Sequence, residues 1–322
     1  MFHGRMTRRE MLGAAAGGLV AAQQPRRQGR APRMTPIIDT HQHLWDLDKV
    51  RPPWLPASGP LAGAHTMERY LREAEGLGIE RTVYMEVDVA PEDHVREAET
   101  VLAMCRQPGN PMVGAVIGGR PASEGFGGYI RRFGGNRHVR GVRQVLHGAG
   151  TPRGYCLQER FVRSMRLLGE MGLAFDICVP AAGLPDAARL CDLCPDTRFI
   201  LDHCGNPGVQ TPDLDPWRRD MAEVAKRPNI VCKISGIVAT AREAWKADDL
   251  APIVHHCAEV FGRDRIVFAS DWPVCTLRAS LRQWVLALRE IVAGWSEQDQ
   301  RKLFHDNAIR AYRLPARAKA TT

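Results

Sequence analysis

The sequence is poor in features that would assign it to nucleic acid or to a membrane. Its formal net charge is +8, but the arginines are scattered, no run of lysine and arginine is long, and no nucleic-acid-binding motif occurs. The apolar run at residues 11–22 is too short to span a bilayer. We therefore expect no nucleic-acid partner and no stable membrane insertion. We attribute the charge to a basic solvated surface or to a preference for anionic small molecules.

A disulfide framework is also missing from the sequence. The nine cysteines are an odd number, and Cys178, Cys204, Cys232 and Cys275 lie in or beside apolar segments, where cysteine packs as a small hydrophobe. The C-x-x-C pair at 191–194 has no second pair nearby, which favours a structural role over a zinc or redox site. This cysteine usage argues mildly against an oxidising compartment.

The N-terminal residues nevertheless predict export. Arg8 and Arg9 precede the uncharged, small and apolar run at 11–22, which is typical of a twin-arginine signal peptide over residues 1–22. Because that pathway carries folded proteins, free cysteines remain compatible with a periplasmic or otherwise exported protein. The alternative is a cytoplasmic protein whose basic N-terminus is a chance feature or a wrongly assigned start. The Pro/Arg/Gln-rich segment 23–35 predicts a flexible linker.

Short apolar segments alternate with helical patterns from residue 36 onward. Eight of these segments predict strands, and they lie at residues 37–44, 81–87, 112–119, 139–146, 173–179, 198–204, 230–235 and 265–271. Each is followed by a helix pattern or a long connection, and Thr66 is placed to cap the first such helix. This order predicts a single-domain α/β fold, a (β/α)8 TIM barrel over residues 36–314, with a flexible tail at 315–322. A doubly wound sheet is the alternative, but it would usually have fewer strands and a glycine-rich phosphate turn after the first.

Histidine and aspartate side chains fall at the predicted strand ends. His41 and His43 lie on one face of the first strand, His203 ends the sixth and Asp271 ends the eighth. In a barrel the carboxyl ends of the strands form the active site, so these four side chains are candidate catalytic residues, although the histidine pair alone could be a solvated strand end. As ligands they could hold one divalent ion, zinc first, with a position open for water. Without metal, Asp271 could deprotonate water while a histidine and an arginine stabilise the oxyanion.

Further side chains on or after these strands are candidates for binding the substrate: Glu86, Arg120, Arg143, Lys233, Trp45 and Trp272. Arg143 could bind a substrate carboxylate through two parallel hydrogen bonds or tie strands together. Glu86 could face the pocket or pair with an arginine. Lys233, in a buried strand, should reach the pocket or meet a carboxylate. Trp45 and Trp272 could stack on a sugar or another ring, or could pack in the core.

Five motifs occur in order between residues 36 and 314: "IDTHQHLWD", "ILDHCGNP", "VCKISG", "FASDWPV" and "DNAIRAYRL". Together they resemble the amidohydrolase superfamily, its amidohydrolase-2 branch, and within it the group of sugar lactonases and 2-pyrone-4,6-dicarboxylate lactonase. The resemblance implies a (β/α)8 hydrolase of carbonyl-type bonds. His41 and His43 then match the first-strand histidine pair, and His203 matches the sixth-strand histidine. Asp271 matches the eighth-strand aspartate that activates water.

Two positions depart from the wider superfamily. Arg143 stands where two-metal members have a bridging lysine or glutamate, and the fifth strand has Asp176 and no histidine. The resemblance therefore implies either one divalent metal ion or none. The function that it implies is hydrolysis of a lactone, with a small-molecule substrate that is anionic or polyhydroxylated. The alternatives are a metal-dependent, non-oxidative decarboxylase of an aromatic or muconate-type acid, and a non-catalytic barrel that binds a sugar acid.

Overall fold

The computed structural model of the protein describes residue 1, residues 34–148 and residues 150–315. The predicted signal peptide beyond Met1, residues 23–33 of the predicted linker and residues 316–322 of the predicted tail lie outside the described residues. Within the described part of the chain, no helix is both long enough and apolar enough to cross a bilayer.

Eight parallel strands form a single sheet in chain order. They are β1 (Ile37–Gln42), β2 (Ile79–Met85), β3 (Met112–Gly118), β4 (Val139–Val145), β5 (Ala174–Cys178), β6 (Arg198–Leu201), β7 (Ile230–Ile234) and β8 (Ile266–Phe268). Each strand pairs in parallel with the next one along the chain. This topology confirms the predicted (β/α)8 barrel, because a doubly wound sheet would reverse its strand order at a switch point.

The sheet closes where the segment after β8 meets β1. The Thr40 hydroxyl donates to the Phe268 carbonyl at 2.7 Å. The Asp271 N–H donates to the His41 carbonyl at 2.9 Å, and the His43 N–H donates to the Trp272 carbonyl at 2.8 Å. The last two are backbone bonds just beyond the end of β8, so the closure itself places Asp271 beside the first-strand histidines.

Helices follow the strands and cover the barrel. They are α1 (Met67–Ala74), α2 (His94–Cys105), α3 (Phe126–Arg132), α4 (Glu159–Glu170), α5 (Leu184–Leu193), α6 (Asp215–Ala225), α7 (Ala247–Phe261), α8 (Leu281–Ile291), α9 (Glu297–Arg301) and α10 (Asn307–Ala311). Thr66 caps α1 as predicted, since its side chain accepts from the Arg69 N–H. A π-helical turn at Lys302–Asp306 joins α9 to α10.

Alternation along the strands separates two apolar clusters. In β5, Phe175 and Ile177 pack in the large outer core between the sheet and the helices, whereas Ala174 belongs to a smaller cluster inside the barrel. The inner cluster also contains one or two residues from most other strands and the chain around α10: Ile38, Val83, Met85, Val116, Ile200, Val267, Ala308, Ala311, Tyr312 and Leu314. The barrel interior is therefore apolar at the end that α10 closes, and its polar residues lie beyond that layer.

Candidate active site

The four predicted catalytic side chains lie at one end of the barrel, but three of them follow their strands. β1 ends one residue before His43, β6 ends two residues before His203, and β8 ends three residues before Asp271. The prediction that these three lie within strands is wrong, because the backbone turns there. His203 has φ +54° and Asp271 has φ +57°, left-handed conformations that are uncommon for residues other than glycine and recur at functional sites.

His41, His43 and Asp271 point their ligand atoms at one another. The two histidine Nε2 atoms are 3.0 Å apart, and Asp271 Oδ1 lies 3.5 Å from each. His43 Nδ1 is 3.0 Å from the Met85 carbonyl, which assigns the proton to Nδ1 and leaves Nε2 as a lone-pair donor. These three separations are close to the edges of about 3.3–3.5 Å that a tetrahedral zinc site requires. The residues therefore fit one ion with an open fourth position, and the chain has a candidate His/Asp metal site.

His203 belongs to a second, overlapping group. Its ring lies 4.7 Å from the His41 ring, and ligand atoms of His41, His203 and Asp202 lie within 4.8 Å of one another. His203 Nδ1 is 2.9 Å from the Ser235 hydroxyl, which orients the ring. A Cβ on Gly236 would lie 2.5 Å from His203 Cγ, so only glycine allows the ring to pack there. The predicted ligand set of four is thus divided between two triplets that share His41, and Asp202, which was not predicted, completes the second.

Beneath His41 lies a buried group of charges. Lys233 Nζ is 2.7 Å from Asp176 Oδ2, 2.7 Å from Asp202 Oδ1 and 3.2 Å from His41 Nδ1. The Tyr312 hydroxyl donates to Asp176 Oδ2 at 2.5 Å. Lys233, Asp176 and Asp202 have no exposed surface. Of the two positions predicted for Lys233, facing the pocket or pairing with a carboxylate, the structure shows the second. Its side chain does not line the cavity described below.

The charges in this group determine each other's protonation. Burial disfavours the charge on Lys233, but Asp176 and Asp202 raise its pKa above the ordinary value. Burial also opposes ionisation of Asp202, yet Lys233 and then His41 hold the pKa of Asp202 well below its ordinary value. Burial and the adjacent Lys233 charge lower the pKa of His41 well below 6.5, so His41 is a neutral imidazole at physiological pH. A neutral imidazole can act as a ligand or as a hydrogen-bond partner.

Arg143 is held from several sides. Its Nε donates to Glu86 Oε1 at 2.6 Å, and its Nη2 donates to the Glu86 carbonyl at 2.8 Å. Its Nη1 is 3.3 Å from His41 Nε2 and 3.6 Å from Asp202 Oδ2. Burial opposes the charge, but Glu86 raises the pKa of Arg143 above its ordinary value. The predicted bidentate grip on a substrate carboxylate is not available in this arrangement, because the donors of the fork already have partners inside the protein.

A cavity of about 360 Å³ opens above these groups. Its polar wall contains His43, Asp88, Arg143, His147, His203, Asn206, Thr240 and Asp271, and its aromatic member is Trp54. Trp54 is 40% exposed, its indole N–H donates to the Val87 carbonyl at 2.6 Å, and its ring stands edge-on to Trp45 with centroids 5.6 Å apart. The ring is therefore fixed in place as a partly exposed member of the cavity wall.

Besides Lys233, four predicted binding residues are not in this cavity wall. Trp272 is fully buried and donates from Nε1 to Glu73 at 2.8 Å, and Trp45 donates from Nε1 to the Gly63 carbonyl at 2.7 Å. Both tryptophans pack in the core, which was the alternative to stacking on a substrate ring. Glu86 is buried beneath Arg143, and Arg120 pairs with Asp88 Oδ1 at 2.9 Å behind the wall.

Several residues of this site were not predicted from the sequence. Asp202 directly precedes His203 in "ILDHC", and its position in a buried segment was a usable signal. Trp54, Asn206 and Thr240 lie in connections, where no periodicity indicates the direction of a side chain. His147 appeared in the sequence without a partner, and the structure places it in the cavity wall, where burial and Arg143 lower its pKa.

The fold and these side chains define a class of barrel hydrolase, in which histidines and an aspartate lie together at one end of the barrel. Residues 38–314 match the family described as Amidohydrolase, and the chain belongs to that family. It is therefore an enzyme of the amidohydrolase type.

The chain matches sequence relatives and a solved structure over nearly their whole lengths. The L-fucono-1,5-lactonase of Burkholderia multivorans is 28% identical over 302 residues, which cover 88% of this chain and 98% of the relative. The L-rhamnono-gamma-lactonase of Scheffersomyces stipitis is 22% identical over 339 residues, covering 86% and 98%. A crystal structure of an amidohydrolase from Burkholderia multivorans with bound zinc is 25% identical, has a TM-score of 0.77, and is matched over 87% of this chain and 100% of that chain.

Proposed function

We propose that this enzyme hydrolyses a lactone, with water activated by Asp271. The observation that carries this proposal is the position of Asp271 Oδ1, 3.5 Å from both first-strand histidines, in the wall of the cavity. The lactonase names of the relatives support the substrate class. Asp271 accepts a proton from the attacking water, the water oxygen bonds to the carbonyl carbon, and the ring oxygen leaves with a proton as an alcohol.

The residues around the carbonyl divide the remaining work. The imidazole groups of His43 and His203 line the cavity and can contact the developing oxyanion, while the charge of Arg143, whose hydrogen bonds stay within the protein, stabilises it electrostatically. His41, His43 and Asp271 would hold an ion, which when bound would polarise the carbonyl and lower the pKa of the attacking water. The closed barrel keeps these groups on rigid elements, so little reorganisation accompanies the reaction.

Within the expected anionic or polyhydroxylated substrates, the cavity favours a polyhydroxylated, uncharged lactone. The donors of Arg143 are occupied by Glu86 and the groups beneath it. The wall also contains the carboxyl groups of Asp88 and Asp271, which would repel a carboxylate group on the substrate. Asn206 and Thr240 supply amide and hydroxyl groups that suit substrate hydroxyls.

The test is a panel of neutral sugar lactones and one dicarboxylate lactone, read by acid release with and without chelator. We expect turnover on at least one neutral sugar lactone and none on the dicarboxylate. The Asp271→Asn variant is the control for enzymatic turnover. Carbon dioxide release from an aromatic acid, with no lactone cleaved, would replace the proposal with the decarboxylase alternative. Binding without any turnover would support the non-catalytic alternative.

We propose that the site holds at most one divalent ion and that this ion is zinc. One complete His/Asp triplet faces the cavity, whereas β4 and β5 contribute Arg143 and Asp176, which already have ionic partners. Elemental analysis of the purified enzyme should give no more than one ion per chain, and two would contradict the proposal. Full activity in chelator with no ion bound would select the metal-free mechanism.

We propose that the protein is exported in the folded state. The Arg8-Arg9 pair and the short apolar run at 11–22 support this proposal. Replacing both arginines by lysine should retain the protein in the cytoplasm, as shown by fractionation. A wild-type protein found in the cytoplasm with an intact N-terminus would contradict it.

A further inference from the structure

Three cysteines behind the active site bring their sulfur atoms together. Cys204 lies in the turn after β6, Cys232 in β7 and Cys257 in α7, and their Sγ atoms all lie within 4.8 Å of one another. All three are free thiols with no exposed surface. All nine cysteines lie in the described part of the chain, and no other cysteine there belongs to a group of this kind.

The three cysteine side chains belong to the apolar core between the sheet and the helices. Cys204 has φ +54°, a left-handed conformation that it shares with His203 in the turn after β6, so the turn fixes the position of this thiol beside the other two. Cys204 Sγ and Cys232 Sγ share one weak acceptor, the Lys233 carbonyl, at 3.7 Å and 4.0 Å. All three sulfurs also lie within 4.8 Å of one another, so one ion could contact all of them. Soft ions prefer such sulfur ligands.

The number of sulfurs and their burial select the ion. Structural zinc sites use four ligands, whereas the described residues supply three here. Thiolates are the binding form, so a monovalent ion would leave two negative charges in the core and a divalent ion would leave one. A buried uncompensated charge is costly. A trivalent ion with three thiolates leaves no net charge.

We propose that Cys204, Cys232 and Cys257 form a three-thiolate site for a trivalent thiophilic metalloid, with trivalent arsenic as the probe. Arsenous acid reacts with three thiols without any change of oxidation state. Three As–O bonds break and three As–S bonds form, and each hydroxide leaves with one thiol proton as water. The bound arsenic would join the turn that carries Asp202 and His203 to β7 and α7.

The experiment treats the full-length, reduced protein with arsenite until its intact mass is constant. In a second arm, arsenite is present during expression, because the three thiols are fully buried in the folded state. We expect a mass increase of one arsenic atom less three hydrogens per chain in both arms. Arsenite is specific for thiols, so the histidines of the active site do not compete for it.

Matched variants locate the site. Cys257→Ala and Cys232→Ala should each lose the three-sulfur adduct, and two variants guard against one that fails to fold. Cys191→Ala is the control, since Cys191 is also a buried helix cysteine but lies outside the cluster, and it removes the C-x-x-C pair. The adduct should persist in this control and should raise its melting temperature. Absence of the adduct from the wild type in both arms, or its persistence in Cys257→Ala, would overturn the proposal.

Discussion

The interior of the barrel has two layers that differ in chemistry and adjoin one another on the same strands. Near α10 the layer is apolar, with Ile200 and Val267 among its members. Two residues further along the chain, in β5 and β7 and directly after β6, the side chains are Asp176, Lys233 and Asp202. The apolar layer obtains its stability from contact area, which tolerates small changes of shape. The charged layer is stable only as a complete set, because each buried charge needs its partner.

The largest expected effect comes from breaking the charged layer. Lys233→Met keeps the length of the side chain but leaves Asp176 without a cation and Asp202 with only the more distant Arg143, so we expect a loss of about 3–5 kcal/mol in the free energy of unfolding. Ile200→Val in the apolar layer is the control and should cost about 0.5–1.5 kcal/mol. Urea unfolding measures both. Equal losses in the two variants would show that the layers do not differ in this way.

The next effect concerns chemistry above the charged layer. Asp271→Asn keeps the size of the side chain but cannot accept the proton of the attacking water, so kcat on a cleaved lactone should fall by at least ~10²-fold. KM should change little, because the cavity wall is otherwise intact. Steady-state kinetics on that lactone provide the measurement. Near-normal turnover in the variant would exclude Asp271 as the base.

Glu97 is a buried acid without a basic partner among the described residues, unlike Asp176 and Asp202, which pair with Lys233. Glu97 in α2 accepts from the Tyr84 hydroxyl at 2.9 Å and from the Val87 N–H at 2.8 Å. Burial and then the nearby Glu86 charge raise the pKa of Glu97 from 4.5 to about 8. The unfolded chain therefore loses this proton near pH 4.5 and the folded chain near pH 8, so this contribution to stability is present below pH 4.5 and is lost as the pH rises to about 8.

Glu97→Gln should remove that pH dependence. We expect the melting temperature of the wild type to fall more steeply than that of the variant between pH 5 and 8, by an amount that corresponds to about 1–2 kcal/mol. Scanning calorimetry of both proteins across this range checks the expectation. Parallel curves would mean that the carboxyl group of Glu97 is ionised in the folded protein.

The smallest effect lies at the rim of the cavity. Trp54→Ala removes a fixed aromatic face without touching the charged layer, so KM should rise by about 3–10-fold, equivalent to about 0.5–1.5 kcal/mol, while kcat changes little. Trp54→Phe should restore part of the affinity. A fall in kcat with unchanged KM would instead assign Trp54 to the chemical step.

The sequence predicted the strand order and the convergence of His41, His43 and Asp271, because apolar alternation locates strands and barrel strands expose their carboxyl ends together. It could not predict that the donors of Arg143 are already hydrogen-bonded, because Glu86 lies 57 positions away and follows β2, whereas Arg143 is in β4. Nor could it predict which alternative holds for Lys233, because Asp176 and Asp202 are 57 and 31 positions away and only closure of the sheet brings them near. Trp54 lies in a long connection with no periodic pattern to orient it.

The contact between Tyr312 and Asp176 has a consequence for biosynthesis. The tyrosine lies directly after α10, and its hydroxyl completes the set that surrounds Lys233 beneath His41. A ribosome that has made all eight strands has therefore not yet supplied the last donor to this set. Until residue 312 has left the exit tunnel, a nascent chain has Asp176 paired only with Lys233. Translation that stops early would leave a barrel with a weakened active-site floor, and such a product would be a target for cellular quality control.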